Sequence, residues 1–173
     1  MEEILRQVAE LMAVSARTAP KAGGKDFVTT KILVKDEVQK LGEAMVQYGE
    51  ERGIRGFVRD GQNVLNSQVV LLIGIKDAQV MGLDCGGCGF DTCKELVPQE
   101  KREFKGPQCM LRLLDLGIAL GSAVKTASLF NVDNRIMYRI GVIARKLEIS
   151  QDDIVMGIPI SAWGKNIYFD RKE

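Results

Sequence analysis

Four cysteines carry the strongest chemical signal in the chain. All lie between Cys85 and Cys109, spaced C-x2-C-x4-C-x15-C in the contexts Leu83-Asp-Cys-Gly-Gly-Cys-Gly-Phe-Asp-Thr-Cys93 and Gly106-Pro-Gln-Cys109. A cubane iron-sulfur cluster takes one thiolate per iron. Three close thiolates can cover one face of the cube, and a fourth from the start of a helix can close it. Gly86, Gly87 and Gly89 let the backbone wrap tightly enough for amide groups to approach cluster sulfurs. The spacing therefore predicts that Cys85, Cys88, Cys93 and Cys109 hold one 4Fe-4S cluster, with 83–109 as the cluster-binding segment. A structural zinc site is the second reading, although such sites usually take two paired knuckles and the later half offers a single cysteine. Cysteines left unliganded or paired as disulfides are the third.

Other chemistry is sparse. The chain contains no histidine, which excludes histidine general bases, Ser-His-Asp triads, Rieske centres and histidine-ligated haem. Acid-base work would fall to Asp, Glu, Lys, Tyr or Cys. No carboxylate pair stands out by spacing, so the sequence nominates no catalytic residue. Gly23-Gly24-Lys25 invites comparison with a phosphate loop, yet Ala19 stands where that motif needs glycine and Asp26 where it needs Ser or Thr. With Arg17 and Lys21, the stretch Gly23, Gly24, Lys25 reads either as a cofactor site for a flavin phosphate or other anion, or as an exposed turn. Arg52, Arg55 and Arg59 can attract an acidic redox partner, but a solvated charged patch is the simpler reading. Trp163 reads as a packed aromatic.

The elements that must position these groups follow from periodicity. Ile4, Val8, Leu11 and Ser15, with Leu5 and Met12, mark a helix over 3–16. A small-residue loop precedes a strand from Phe27 to Val34. Asp36 and Gln39 suggest a capping box for a helix reaching about Arg52, with Gly53 as its stop. The stretch Gly53 to Asn66 reads as irregular or weakly helical. Val69 to Ile75 is a continuous β-branched run, expected of a strand covered on both faces. Met110 to Phe130 is the longest helical candidate, placed centrally because Gly117, Ala119, Gly121, Ala123 and Ala127 would let another backbone approach. Asn131 or Asp133 would cap a further helix carrying Ile136, Ile140, Ile143 and Leu147. Ile154 to Ile160 reads as a strand that Pro159 confines to an edge or a strand end.

The length of 173 residues and the absence of a convincing linker point to one α+β domain over 1–173. With 24 basic and 23 acidic side chains the formal charge is +1, so no long-range field directs the protein to nucleic acid or to a membrane. The opening stretch is acidic and periodic, unlike a secretory signal. A cytoplasmic location is expected.

The chain also resembles known families. CGGCGFDTC with the later Cys109 looks like the short 4Fe-4S domain of anaerobic electron-transfer proteins. Leu83-Asp-Cys-Gly-Gly-Cys-Gly-Phe90, the stretch from Leu114 to Val124 and the ending Gly164-Lys-Asn-Ile-Tyr-Phe-Asp-Arg171 resemble an uncharacterised family of ferredoxin-domain-containing proteins. A fainter likeness is to the flavin-dependent nitroreductase fold: an opening helix, Ala19-Pro-Lys-Ala-Gly-Gly-Lys25, a strand, and the small-residue helix around Leu120-Gly121-Ser122. That resemblance implies a central mixed sheet packed by helices, with the cysteine-rich loop inserted between a core strand and a long helix. It also implies FMN, commonly at the interface of a homodimer. The arginine-rich phosphate-binding start of those proteins is absent, and Gly-Lys-Asp-Phe replaces their Asn-x-Gln-Pro-Trp stretch. The expectation is thus a 4Fe-4S electron-transfer protein that docks a redox partner protein, and an iron-sulfur flavo-oxidoreductase if a flavin is bound. The alternative is a non-catalytic binding or assembly module whose cysteines hold a structural cluster or zinc.

Overall fold

Strand β2 (Val69–Ile75) is apolar at every position except Gly74 and is buried along its whole length. The period of two sends Val69, Leu71, Ile73 and Ile75 into one core and Val70 and Leu72 into another. A strand apolar on both sides must be covered on both sides, and the computed structural model, which describes residues 1–170, shows a sheet with a helical layer on each face. One layer is α1 (Glu2–Thr18) and α4 (Met110–Leu129); the other comprises α2 (Asp36–Arg52), α3 (Arg55–Leu65) and α5 (Tyr138–Lys146). With β1 (Val28–Val34), β5 (Asp133–Asn134) and β6 (Ile154–Ser161), β2 forms a sheet of order β1-β2-β6-β5. A separate short hairpin pairs β3 (Gln99–Glu100) with β4 (Lys105–Gly106).

Several expectations are corrected. The sheet is not mixed: every strand pair among the described residues is antiparallel. Of the two readings of Gly53 to Asn66 the helical one holds, and more strongly than expected: the stretch contains α3, whose Phe57, Asp60, Gly61 and Val64 face inward at helical spacing. Its glycines are packing devices, since a Cβ on Gly61 would lie 2.9 Å from the Val46 amide nitrogen and 3.0 Å from the Gly42 carbonyl oxygen. No Asp36/Gln39 capping box forms; Lys35 occupies the N-cap with φ 47°, and Gln39 turns its side-chain amide to Glu43. Gly53 does end α2 in the left-handed conformation. Asn131 and Asp133 cap nothing, because 133–134 form β5 and α5 starts only after Met137.

Pro159 sits in β6 between β2 and β5, away from an edge. Gly157 donates its amide to Met137, and Pro159, two residues on, turns its nitrogen toward the same side. There the partner chain passes between its pairings at Met137 and Asn134, so the missing donor costs no ladder bond. The long helix α4 is not central either. Its Ala119, Ala123 and Ala127 pack in the core shared with α1, while Gly117 and Gly121 have open space beside them.

The register places Val28, Ile75 and Ile154 at one end of the sheet. From that end run the loop 19–27, the long connection 76–109 and the segment 147–153, so the sheet gathers most of the chemistry-bearing residues there. No helix among the described residues is long and apolar enough to cross a membrane.

Candidate functional site: the loop end of the sheet

The cysteine loop folds back on itself through left-handed residues. Asp84, Gly86 and Gly89 have φ of 47°, 68° and 87°. The Asp84 carboxylate accepts the Cys93 amide at 2.6 Å, and the Gly89 amide donates to Gly86 O at 3.0 Å, closing a turn around Gly87 and Cys88. Gly87 is pinched: a Cβ there would lie 2.9 Å from Met110 Sδ and 3.6 Å from Cys85 Sγ. Cys85 is exposed, Cys88 and Cys93 are half-buried, and Cys109 is buried at the N-cap of α4.

This arrangement overturns the cluster reading. Among the described residues no three Cys, His, Asp or Glu side chains form a group able to hold a metal ion. Cys85, Cys88 and Cys93 ride on turns at the protein surface, Cys109 lies under the start of α4, and the Met110 thioether packs against Gly87. The 4Fe-4S expectation is corrected accordingly, and with it the zinc alternative, the iron-sulfur electron-transfer function and the structural-cluster module. The iron-sulfur loop expected between core strand and long helix is a cysteine loop without a metal-holding group.

The glycine loop is held from within. Lys21 bends back to the end of α1, donating to Arg17 O at 2.6 Å, Ala19 O at 2.7 Å and Ala16 O at 3.3 Å, with its side chain 6% exposed. It therefore neutralises the helix C-terminus, where carbonyls lack partners. Arg17 pairs with Asp26 at 2.9 Å and donates to the Val28 carbonyl. Gly23 and Gly24 both have φ 64°, a conformation glycine adopts without strain. Met81 packs under Gly23, while nothing lies within 4 Å of a Cβ on Gly24. The exposed Lys25 ammonium has no partner among the described residues. Of the five residues expected to meet an anion, Lys21 is spent on α1, Arg17 is engaged, and Gly24 and Lys25 are open.

The group that organises this end was not singled out by sequence reasoning. Arg112, in the first turn of α4, is 1% exposed. Its guanidinium donates to Ala22 O at 2.9 Å, Gln79 O at 2.8 Å, Met81 Sδ at 3.0 Å and the Asp115 carboxylate at 3.0 Å, and lies 4.8 Å from the Phe27 ring centroid. Asp115 accepts the Ala22 amide at 2.8 Å. One buried pair thus welds the glycine loop and the 76–82 segment onto α4. A signal was present: Arg112 and Asp115 share the helical stripe of Leu116, Ala119 and Ala123, and charges on an apolar stripe are buried charges.

A second polar knot lies beside it. Asp153 accepts from the Asp77 amide at 3.1 Å and from Gln108 Nε2 at 3.3 Å, and pairs with Lys105 at 3.2 Å. The hydrogen bond and negative charge of Asp153, with smaller contributions from Asp77 and Glu100, raise the Lys105 pKa above its ordinary value. Lys105 also lines an open cleft of about 470 Å³ formed by 101–108 and Ile154. Elsewhere, Arg59 pairs with Asp60, and Arg52 stacks on Tyr48. Trp163 is exposed and donates its indole N–H to Asn66 O at 2.8 Å, so it is less packed than expected.

The outer surface of the α1–α4 layer is apolar. Leu113, Leu114 and Ile118 of α4 and Ile4, Leu11 and Val14 of α1 are exposed. Asp115, buried on the inner side of α4, grips the glycine loop, while Leu114 and Ile118 of the same helix are exposed.

Comparison with known proteins places this geometry. Among solved structures, the fold is similar to the FMN-dependent nitroreductase NfnB from Mycobacterium smegmatis in complex with NADPH, at TM-score 0.63 and 9% identity over 94% of this chain and 80% of that one. It is similar to nitroreductase CinD from Lactococcus lactis in complex with chloramphenicol, at TM-score 0.63 and 13% identity over 92% and 79%. An oxidoreductase containing FMN matches at TM-score 0.57 and 17% identity over 92% and 68%. The fold is therefore nitroreductase-like. Residues 105–171 match a family described as uncharacterized protein containing a ferredoxin domain, DUF2148, a stretch that includes Cys109 but none of the other cysteines and whose last residue, Arg171, lies outside the described residues. An uncharacterized protein of Archaeoglobus fulgidus is 44% identical over 171 residues, covering 98% of this chain and 92% of its own length. At that identity and coverage, the chain belongs to the same family as the Archaeoglobus protein.

Proposed function

We propose that this protein is a flavin-dependent redox protein whose glycine loop and adjoining α4 surface receive an FMN-like cofactor. The observation that carries the reading is the loop itself: Arg112 and Asp115 hold Ala22 from both its amide and its carbonyl, leaving Gly24 open and Lys25 uncommitted, on a loop anchored to the helix that also exposes Leu114 and Ile118. A flavin nucleotide is a flat, largely apolar ring system carrying a phosphate, and these residues fit both halves. Leu114 and Ile118 offer apolar surface to a ring. Lys25 and the backbone around Gly24 offer positive charge and close approach to a phosphate. The likeness to FMN-containing oxidoreductases supports the same reading through the fold.

When bound, a flavin supplies reversible transfer of one or two electrons. The chain's own residues bind and orient. Arg112 fixes the loop without meeting the ligand, and Lys21 neutralises the end of α1 beneath it. A second copy of the chain covering the α1–α4 surface would shield the ring from water. The electron donor is a redox partner, and the absence of any disulfide suits the reducing cytoplasm.

Full-length protein, heat-denatured after purification, is expected to release a compound with flavin fluorescence. Stripped protein is expected to quench added FMN fluorescence on titration. Lys25→Ala is expected to weaken that binding by about tenfold, equivalent to ~1.4 kcal/mol. Protein that contains no flavin and leaves added FMN unquenched sinks the reading.

A further inference from the structure

The cysteine loop, deprived of a metal-binding role by its geometry, still presents two thiols on one turn. We propose that Cys85 and Cys88 form a redox-active dithiol that exchanges with low-molecular-weight disulfides. All four cysteines are free thiols, so any pairing must be selected by position. Cys109 is buried at the start of α4, and Cys93 begins a separate 3-10 turn, Cys93–Glu95, with its amide fixed by Asp84. Cys85 and Cys88 remain, the first exposed and the second half-buried, with Cys85 just before and Cys88 within the turn that the Gly89 amide and Gly86 carbonyl close. The Cys85 sulfur does not point away from that turn. It folds over the turn to within 3.6 Å of where a side chain on Gly87 would begin, adjacent to Cys88. Gly86 in the left-handed region turns the backbone between the two cysteines, and Gly87, packed against Met110, puts no side chain between them.

The exchange balances without a cofactor. The Cys85 thiolate attacks one sulfur of a small disulfide, forming a mixed disulfide and releasing the first small thiolate. The Cys88 thiolate then attacks the Cys85 sulfur, forming the Cys85–Cys88 disulfide and releasing the second. The two protons lost by the cysteines go to the two released thiolates; the protein is oxidised by two electrons and the small disulfide reduced by two. Cys85, the more exposed, is the attacking thiol, and Cys88 resolves.

The probe is glutathione. Full-length protein is equilibrated in buffers of graded oxidised-to-reduced glutathione ratio, quenched in acid, alkylated, digested and analysed by mass spectrometry. The expected result is the joint loss of two alkylated sites as the ratio rises, with a link within the peptide carrying Cys85 and Cys88. Cys88→Ser is expected to trap a glutathione adduct on Cys85, whereas Cys85→Ser leaves Cys88 unlinked. Cys93→Ser and Cys109→Ser are expected to leave the link intact. Four alkylated cysteines at every ratio overturn the proposal. So does a link to Cys93 or Cys109, or stoichiometric iron or zinc released by the acid with all four thiols protected before it. None of these readouts requires flavin, so failure here and failure of the flavin reading are distinguishable.

Discussion

At the residue scale, the buried Arg112–Asp115 pair is the detail on which the loop end depends. Taking both charges out of water is costly, and the cost is offset only because every polar atom of the pair finds a partner: two backbone carbonyls, a backbone amide, a thioether and each other. Removing one member strands the other. Arg112→Ala is expected to cost about 3–5 kcal/mol in urea unfolding, whereas Arg112→Met with Asp115→Leu, which removes both charges, recovers most of it. The double variant keeps α4 yet lets go of Ala22, so it separates two roles: stability returns while FMN quenching does not. If quenching returns as well, the pair is structural alone. Tyr168 offers a second residue-scale test. Burial pushes its pKa from 10.0 up to about 12, despite the hydrogen bond it shares with Ser67. Because the folded state holds this proton more tightly than the unfolded chain, the associated stability is fully present below pH 10 and is lost as pH rises toward 12. Comparing wild type with Tyr168→Phe in urea melts across that window should show the excess wild-type loss, on the order of 2 kcal/mol, vanish in the variant.

At the scale of elements, close backbone approach decides where α5 can lie. A Cβ on Gly141 would stand 1.8 Å from the Val155 carbonyl oxygen, and one on Gly157 would stand 2.0 Å from Ile140 Cγ2. Gly141 meets the Val155 backbone, which has no side chain that could yield, and Gly157 meets the branched Ile140 side chain. Gly141→Ala is therefore expected to destabilise by at least about 3 kcal/mol, at the upper end for overpacking, with a lower urea midpoint as the readout. The same features show what the sequence can and cannot reveal. The two-sided burial of β2 was legible because its apolar run is unbroken, and α1, α2 and α4 were legible because their apolar residues recur at helical spacing. The helix α3 was only half legible, read as irregular or weakly helical, because its Gly56 and Gly61 serve as contact points with Arg139 and α2, which a sequence does not show. The cysteine spacing was fully legible but pointed to convergence, which spacing alone does not determine: a fourth ligand must also arrive on the right side, and Cys109 goes under α4. Arg112 was passed over although its place on the apolar stripe was visible, because two of its partners are backbone carbonyls of loops distant in sequence.

At the scale of the whole molecule, the two helical layers are unequal. The α2–α3–α5 layer covers its sheet face with three helices, while α1 and α4 cover theirs alone and turn seven large apolar side chains outward. Scattered exposed apolar residues need no explanation, but these lie on two adjacent helices, and α4 adds Gly117 and Gly121 with open space beside them. The proposed second copy would cover this surface: glycines permit close helix approach, and a two-fold axis through α4 would set the same residues of both copies against each other. That symmetry makes the proposal testable with a single substitution. A lysine introduced at Ile118 would appear twice across the axis, and like charges in a desolvated interface repel strongly. In one protomer the same change falls on an exposed helical position, where it costs less than about 0.5 kcal/mol. Sedimentation equilibrium on the wild type is expected to give twice the chain mass, and on Ile118→Lys the chain mass, with urea unfolding still cooperative. Because the flavin reading places the ring against this same surface, the variant should also bind FMN more weakly. A wild-type protein that stays monomeric at high micromolar concentration removes the second copy, and the apolar layer then has to be covered by the redox partner instead.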